Sequence, residues 1–151
     1  MKFIVLMLAL AAGLMLPAQA SAAVNASSQL ISTGPTGGNG SFYSDFAGVP
    51  ETATRALFWT KESVTGVDSD SSIDLYERTG ATTTLLSTGP AGGNGSFATN
   101  YAGVNAAGTK VFFATNERLT TDDNDTFQDV YERSGGTTTL VSKGPSGGNG
   151  A

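Results

Sequence analysis

The sequence predicts an all-β protein in which one structural unit is repeated along the chain. A segment that begins at Leu30 returns at Leu85 and, in altered form, at Leu140, so the period is 55 residues. The first two copies align without a gap and are identical at 29 of 55 positions. After Ala20 no stretch has the apolar spacing of a helix, and short β-branched and aromatic runs alternate with glycine-rich turns. Repetition at this period indicates a repeat architecture.

Within the second copy the sequence predicts four strands joined by turns. The second strand is rich in β-branched and aromatic residues, and Ser134-Gly135-Gly136 is typical of a tight hairpin. A β-propeller blade consists of four antiparallel strands, the number predicted for each repeat. The expected fold is therefore a tandem of four-stranded antiparallel β-propeller blades, with two full repeats and the start of a third. The expected strands are Phe97–Val104, Thr109–Thr115, Asp129–Arg133 and Thr137–Ser142.

The second strand of each repeat is apolar on both faces. In the first repeat Ala56 and Phe58 point to one face, and Leu57 and Trp59 point to the other. A sheet with one solvated face would alternate apolar and polar residues instead. We therefore expect each sheet to lie between two neighbours, as a blade does, and a two-sheet sandwich is the alternative.

The N-terminal segment is predicted to be a secretory signal peptide. Lys2 precedes the apolar run Phe3–Leu16, which is shorter than the ~20 residues needed to cross a bilayer, and a small-residue site follows it. Cleavage is expected after Ala20, with Ala22 as the alternative. The mature chain would carry no integral membrane span and would be secreted, periplasmic or held at the cell surface. The expected division is 1–20 signal peptide, 21–29 linker, 30–84 first blade, 85–139 second blade and 140–151 start of a third repeat.

Composition excludes several classes of function. The chain of 151 residues has no cysteine and no histidine, which excludes a disulfide scaffold, a Cys/His zinc site and His-dependent nucleophilic catalysis. The formal net charge is −5, with 8 Lys and Arg residues. Binding to nucleic acid phosphates depends on clustered basic side chains, so nucleic acid is not an expected partner.

The order of motifs within the repeat resembles a known family. Gly-Pro-x-Gly-Gly-Asn-Gly, a glycine-bounded strand, Ala-Gly-Thr-Lys-Val-Phe-Phe and Asp-x-Asp-x-x-x-Asp-Val-Tyr follow one another, as in the WD40-like repeats of TolB-type β-propellers from exported bacterial proteins. The family's turn before the second strand stands here as Ala106-Ala107-Gly108 and, less well matched, as Glu51-Thr52-Ala53. Its third strand opens as Asp74-Leu75-Tyr76 and Asp129-Val130-Tyr131. The resemblance covers about residues 30–151 and implies a propeller fold. For function it implies a binding scaffold, a part of a transport machinery or a domain attached to an enzyme.

The number of repeats is small for a propeller. A closed ring needs at least ~4 blades, whereas the sequence holds two full repeats and 12 residues of a third. Bare blade faces favour self-association. We expect either such association or a fragment of a longer product, and the end of the sequence inside a repeat favours the fragment.

Aspartates are the one recurring cluster of ionisable side chains. Alternating carboxylates on a loop suit Ca²⁺, which takes oxygen ligands, although the full EF-hand spacing is not matched. In the alternative interpretation, Asp74 and Asp129 accept hydrogen bonds from turn amides while Asp68 and Asp123 remain solvated. The candidate ligands are Asp68, Asp70 and Asp74 in the first repeat and Asp123, Asp125 and Asp129 in the second.

The function predicted from the sequence is that of an exported, non-catalytic repeat module that binds a protein or a glycan on its loop rim. No cofactor other than Ca²⁺ is expected. The alternative is a propeller fragment attached to a secreted enzyme whose catalytic part lies outside this sequence. Glu62 and Glu117 occur once per repeat and are interpreted as polar residues that close the second strand, rather than as a catalytic pair.

Overall fold

The computed structural model describes residues 28–145 and 147–148. The predicted signal peptide and most of the linker lie outside the described residues. Within them, the chain forms two four-stranded antiparallel sheets and no helix, which confirms the predicted all-β fold. No helix among these residues has the length and apolar character needed to cross a membrane. Sheet 1 consists of β1 (Ser44–Gly48), β2 (Ala56–Thr60), β3 (Asp74–Thr79) and β4 (Thr82–Leu85), and sheet 2 of β5 (Asn100–Val104), β6 (Lys110–Thr115), β7 (Asp129–Ser134) and β8 (Thr137–Leu140).

Both sheets have the same up-and-down topology, in which each strand pairs with the next strand along the chain. The hairpin between β7 and β8 turns at Gly135 and Gly136, whose φ angles are +54° and +83°. Two consecutive residues at positive φ make the tight turn whose twist matches the flanking strands. The hairpin predicted from Ser134-Gly135-Gly136 is therefore confirmed.

The first strand of sheet 2 starts later than the sequence predicts. β5 begins at Asn100, whereas a strand was expected from Phe97. The amide of Phe97 donates to the carbonyl of Gly95 in a turn, and the amide of Thr99 donates to the carbonyl of Ile73 in the previous repeat. The amide of Phe97 is thus used within its own turn and that of Thr99 by the preceding repeat, so neither amide pairs with β6.

The two sheets pack against each other through one apolar cluster. Leu57 and Phe58 are neighbours in β2 that point to opposite faces, and both side chains are buried. The described residues place a second sheet against only one face of sheet 1, so the expectation that each sheet has neighbours on both faces stays a prediction. The face that carries Leu57 meets sheet 2. The cluster between the sheets contains Leu57, Leu75, Leu86, Val111, Phe113, Leu119, Tyr131 and Leu140.

The first strands of the two sheets, β1 and β5, lie in contact. The approach is close at Gly48, where a Cβ atom would lie 2.6 Å from the hydroxyl oxygen of Tyr101. A side chain at position 48 would therefore have to displace the hydroxyl end of the Tyr101 side chain.

Candidate functional site

The structure brings the predicted aspartates together in both repeats. The first aspartate loop, residues 68–74, is the last part of the connection from β2 to β3 and includes the first residue of β3. The second aspartate loop, residues 123–129, is the equivalent part of the connection from β6 to β7. In each loop, one carboxylate oxygen from each of the three aspartates lies within 4.8 Å of the other two. The side chains that the sequence grouped by spacing are therefore grouped in space.

In each aspartate loop, backbone amides donate hydrogen bonds to the aspartate side chain two residues earlier. Asp68 accepts from the amide of Asp70 at 3.3 Å, and Asp70 accepts from the amide of Ser72 at 2.6 Å. In the second loop, Asp123 accepts from the amide of Asp125 at 3.2 Å. These are Asx turns, which explain why aspartates alternate here.

The expectation that Asp68 and Asp123 remain solvated is wrong. Both are buried, and each accepts a hydrogen bond from a tyrosine hydroxyl, Tyr76 and Tyr131 respectively. Burial raises the pKa of both tyrosines, so each hydroxyl keeps its proton and needs an acceptor in the core. The aspartate that follows the second strand supplies that acceptor.

Asp74 is the most unusual carboxylate of the first loop. It is 3% exposed, and its Oδ1 atom accepts a hydrogen bond of 2.6 Å from the hydroxyl of Ser87. Its Oδ2 atom is buried without a hydrogen-bond partner. Burial raises the pKa of Asp74 to about 7, and the nearby carboxylates of Asp68 and Asp70 add to that shift while Ser87 opposes it.

Glu62 and Glu117 hold the glycine-rich segments in place. We call residues 34–40 and 89–95 the first and second glycine links. Glu62 Oε1 accepts from the amides of Gly38 and Gly40 at 2.8 and 2.9 Å. The hydrogen bond from Gly38 is the main cause that lowers the pKa of Glu62, against the opposing effect of burial.

The second repeat makes the same contact, in which a glutamate carboxylate accepts hydrogen bonds from the amides of a glycine link, and we call this contact the clamp. Glu117 Oε1 accepts from the amides of Gly93, Asn94 and Gly95 at 2.7, 3.1 and 2.8 Å. Consecutive amides of this kind form a concave anion site, and the chain's own carboxylate fills it. Sequence reasoning placed both glutamates at strand ends but missed this role. In both repeats the glutamate lies 24 residues after the Gly-Gly pair of the link, but this spacing alone does not specify the contact.

The first aspartate loop and the second glycine link touch each other, and together we call them the loop rim. The amide of Ser69 donates to Asn94 Oδ1 at 2.7 Å, and the hydroxyl of Ser72 donates to the carbonyl of Gly95 at 3.2 Å. The link that leads into sheet 2 is thus bonded to a loop of sheet 1. The first aspartate loop and the second glycine link therefore lie side by side at one edge of the molecule.

Comparison with known proteins finds no counterpart of this chain. No family model matches it, and no curated protein or solved structure matches it either. The TolB-type resemblance therefore stays a hypothesis that depends on the motifs of the repeat.

Proposed function

We propose that this protein is an exported, non-catalytic module of the β-propeller type that binds a protein or a glycan on its loop rim. The observation that supports this function is that both repeats build a loop edge around three aspartates and one glutamate at equivalent positions. An aspartate loop and a carboxylate-clamped glycine link recur at the same positions of the unit. Repeats that present nearly identical surfaces side by side make an extended binding face. Export is the part of the proposal that depends on the predicted signal peptide.

The convergence of β1 and β5 supports the blade arrangement. In a propeller the sheets are arranged radially, so their innermost strands come together around a central channel. In the proposed arrangement the first strand of each sheet is the innermost strand, and the contact between β1 and β5, with Gly48 beside Tyr101, supports it. This geometry favours propeller blades over a sandwich.

Ligand binding to the rim is tested with a panel of defined oligosaccharides and purified exported proteins. Ser71 is exposed in the first aspartate loop, so Ser71→Arg should weaken binding of any rim ligand at least about tenfold by steric exclusion. Thr82→Arg, at the exposed hairpin end of the same sheet, is the matched control and should bind as the unaltered chain does. Failure to bind any member of the panel, or loss of binding in Thr82→Arg alone, would contradict the proposal.

Self-association through open sheet faces is part of the same proposal. Ile31 and Leu86 occupy equivalent positions, but Ile31 is 41% exposed and Leu86 is 5% exposed, because Leu86 lies in the cluster between the two sheets. Phe46 of β1 is 67% exposed, whereas its counterpart Tyr101 packs against the cluster between the sheets. The face of sheet 1 that carries Phe46 is therefore open. The equivalent face of sheet 2 is covered by sheet 1.

We expect Phe46→Glu to reduce self-association at micromolar concentration, because a carboxylate in an apolar contact would lose its hydration. Sedimentation velocity over a range of concentrations measures the change. Phe97→Glu is the control, since Phe97 is 41% exposed even with a neighbouring sheet in place and belongs to no such face. A monomer at all concentrations for the unaltered chain would contradict self-association.

A further inference from the structure

The first aspartate loop carries negative charge that no basic side chain balances. Asp68 and Asp74 are buried and Asp70 is half-buried. The ion pairs found in residues 28–145 and 147–148 join Arg55 to Glu77, Lys110 to Glu132 and Lys143 to Asp122, and none of them includes a carboxylate of this loop. Buried charges in proteins are normally paired with an opposite charge or bound to a metal ion.

Asp74 gives a second and independent indication of a missing ligand. Its side chain is buried, yet its Oδ2 atom has no hydrogen-bond partner. Buried acceptors without a partner are rare and costly, on the order of 1–3 kcal/mol each. Asp74 also has an oxygen within 4.8 Å of oxygens from Asp68 and Asp70, so the unsatisfied carboxylate belongs to the cluster.

The second aspartate loop differs from the first at the positions that control charge. Arg118 donates through Nε to the backbone carbonyl of Asp123 at 2.8 Å, and Lys143 pairs with Asp122 beside the same loop. Residue 118 corresponds to Ser63 in the first repeat, and residue 143 corresponds to Thr88. Asp122 corresponds to Val67 in the first repeat, so the charge of Lys143 is offset by its own carboxylate partner, and Arg118 is the added cation of the second loop. The first loop has neutral hydroxyl side chains at the positions of both cations.

We propose that the first aspartate loop binds one Ca²⁺ ion, and that this ion ties sheet 1 to the segment leading into sheet 2. Calcium binds oxygen ligands at about 2.3–2.6 Å, so two oxygens on the same ion lie within about 5 Å of each other. The spacing of 4.8 Å among the three carboxylates meets this condition. A carboxylate has about four lone-pair positions, so Asp68 and Asp70 can keep their present hydrogen bonds and still bind an ion.

Because Ser87 is bonded to Asp74, the ion would also restrain the connection between the two repeats. Ser87 follows β4, donates to Asp74 Oδ1 and accepts from the amide of Leu75. An ion on Asp74 would thus fix the start of the segment that continues through the second glycine link. Binding would restrain the sheet 1 to sheet 2 connection as well as the loop itself. This inference does not depend on a rim ligand.

Calorimetric titration of the chelator-treated full chain with CaCl₂ tests the proposal. We expect one site per chain, with a melting temperature that rises with Ca²⁺ concentration because the ion binds the folded state. Asp74→Asn should abolish the heat of binding, and Asp129→Asn, the equivalent change in the second repeat, should leave it unchanged. Far-UV circular dichroism of each variant verifies that it is folded.

A second pair of variants tests the role of charge directly. Ser63→Arg and Thr88→Lys place the cations of the second loop at the same positions beside the first, where the fold already accommodates them in its other repeat. Each should weaken Ca²⁺ binding at least about tenfold, because a positive charge near the loop repels the ion. No binding at millimolar Ca²⁺, unchanged affinity in both variants, or a site lost in Asp129→Asn but kept in Asp74→Asn would overturn the proposal. Binding of Mg²⁺ in preference to Ca²⁺ would also overturn it.

Discussion

Truncation of Phe113 to alanine is expected to lower the free energy of unfolding by about 3–5 kcal/mol. Phe113 is 0% exposed and lies in the cluster between the sheets. Its ring stacks on that of Tyr131, with centroids 6.0 Å apart. Removing the ring leaves a cavity at the contact between the two repeats, where both sheets would have to move to fill it. Chemical denaturation followed by the fluorescence of Trp59 measures the loss.

The neighbouring residue provides the control for this experiment. Phe112 precedes Phe113 in β6 and points to the opposite face of sheet 2, where it is half-buried. Phe112→Ala removes the same number of atoms but creates no enclosed cavity, so it should cost clearly less than Phe113→Ala. Equal costs for the two variants would show that the contact between the sheets is not the main source of stability.

Replacement of Gly89 by alanine is the second change with a large expected effect. A Cβ at this position would overlap the backbone carbonyl oxygen of Leu119, which cannot move without displacing the segment after β6. The second glycine link would then be lifted from sheet 2, and the clamp made by Glu117 would be weakened. We expect a loss of about 3 kcal/mol or more in the free energy of unfolding, at the upper end of what overpacking costs. Thermal unfolding monitored by far-UV circular dichroism measures it.

Gly103 provides the comparison for Gly89. No atom lies within 4 Å of the place where a Cβ on Gly103 would stand, and Gly103 does not adopt a positive φ. Gly103→Ala should therefore change the free energy of unfolding by no more than about 0.5 kcal/mol. If the two alanine variants were equally stable, the close passage of the glycine link over sheet 2 would be wrong.

The sheets could be predicted from the sequence because their signals are local and repeated. The apolar residues on both faces of β2 and β6 and the Gly135-Gly136 turn each specify structure within a few residues. Repetition at 55 residues then indicated that the same unit occurs twice. Strand bounds were less predictable where another repeat binds the backbone, as at Thr99.

The sequence predicted which aspartates lie together but not which residues surround them. The spacing of Asp68, Asp70 and Asp74 placed them on one loop, and the structure groups them. The burial of Asp68 depends on the position of the Tyr76 hydroxyl group, which is determined by tertiary packing. The clamp by Glu62 depends on a contact between residues that are 24 positions apart, and nothing in the local sequence specifies that contact.

The carbonyl of Thr33 accepts hydrogen bonds from Arg78 and Thr83, which lie 45 and 50 residues later in the chain. The carbonyl of Thr88 is bound in the same way by Arg133 and Thr138. During synthesis, each acceptor therefore emerges first and its donors emerge almost a full repeat later. A repeat cannot complete its bonding until nearly all of its 55 residues are free, so the nascent chain should gain structure in steps of one repeat.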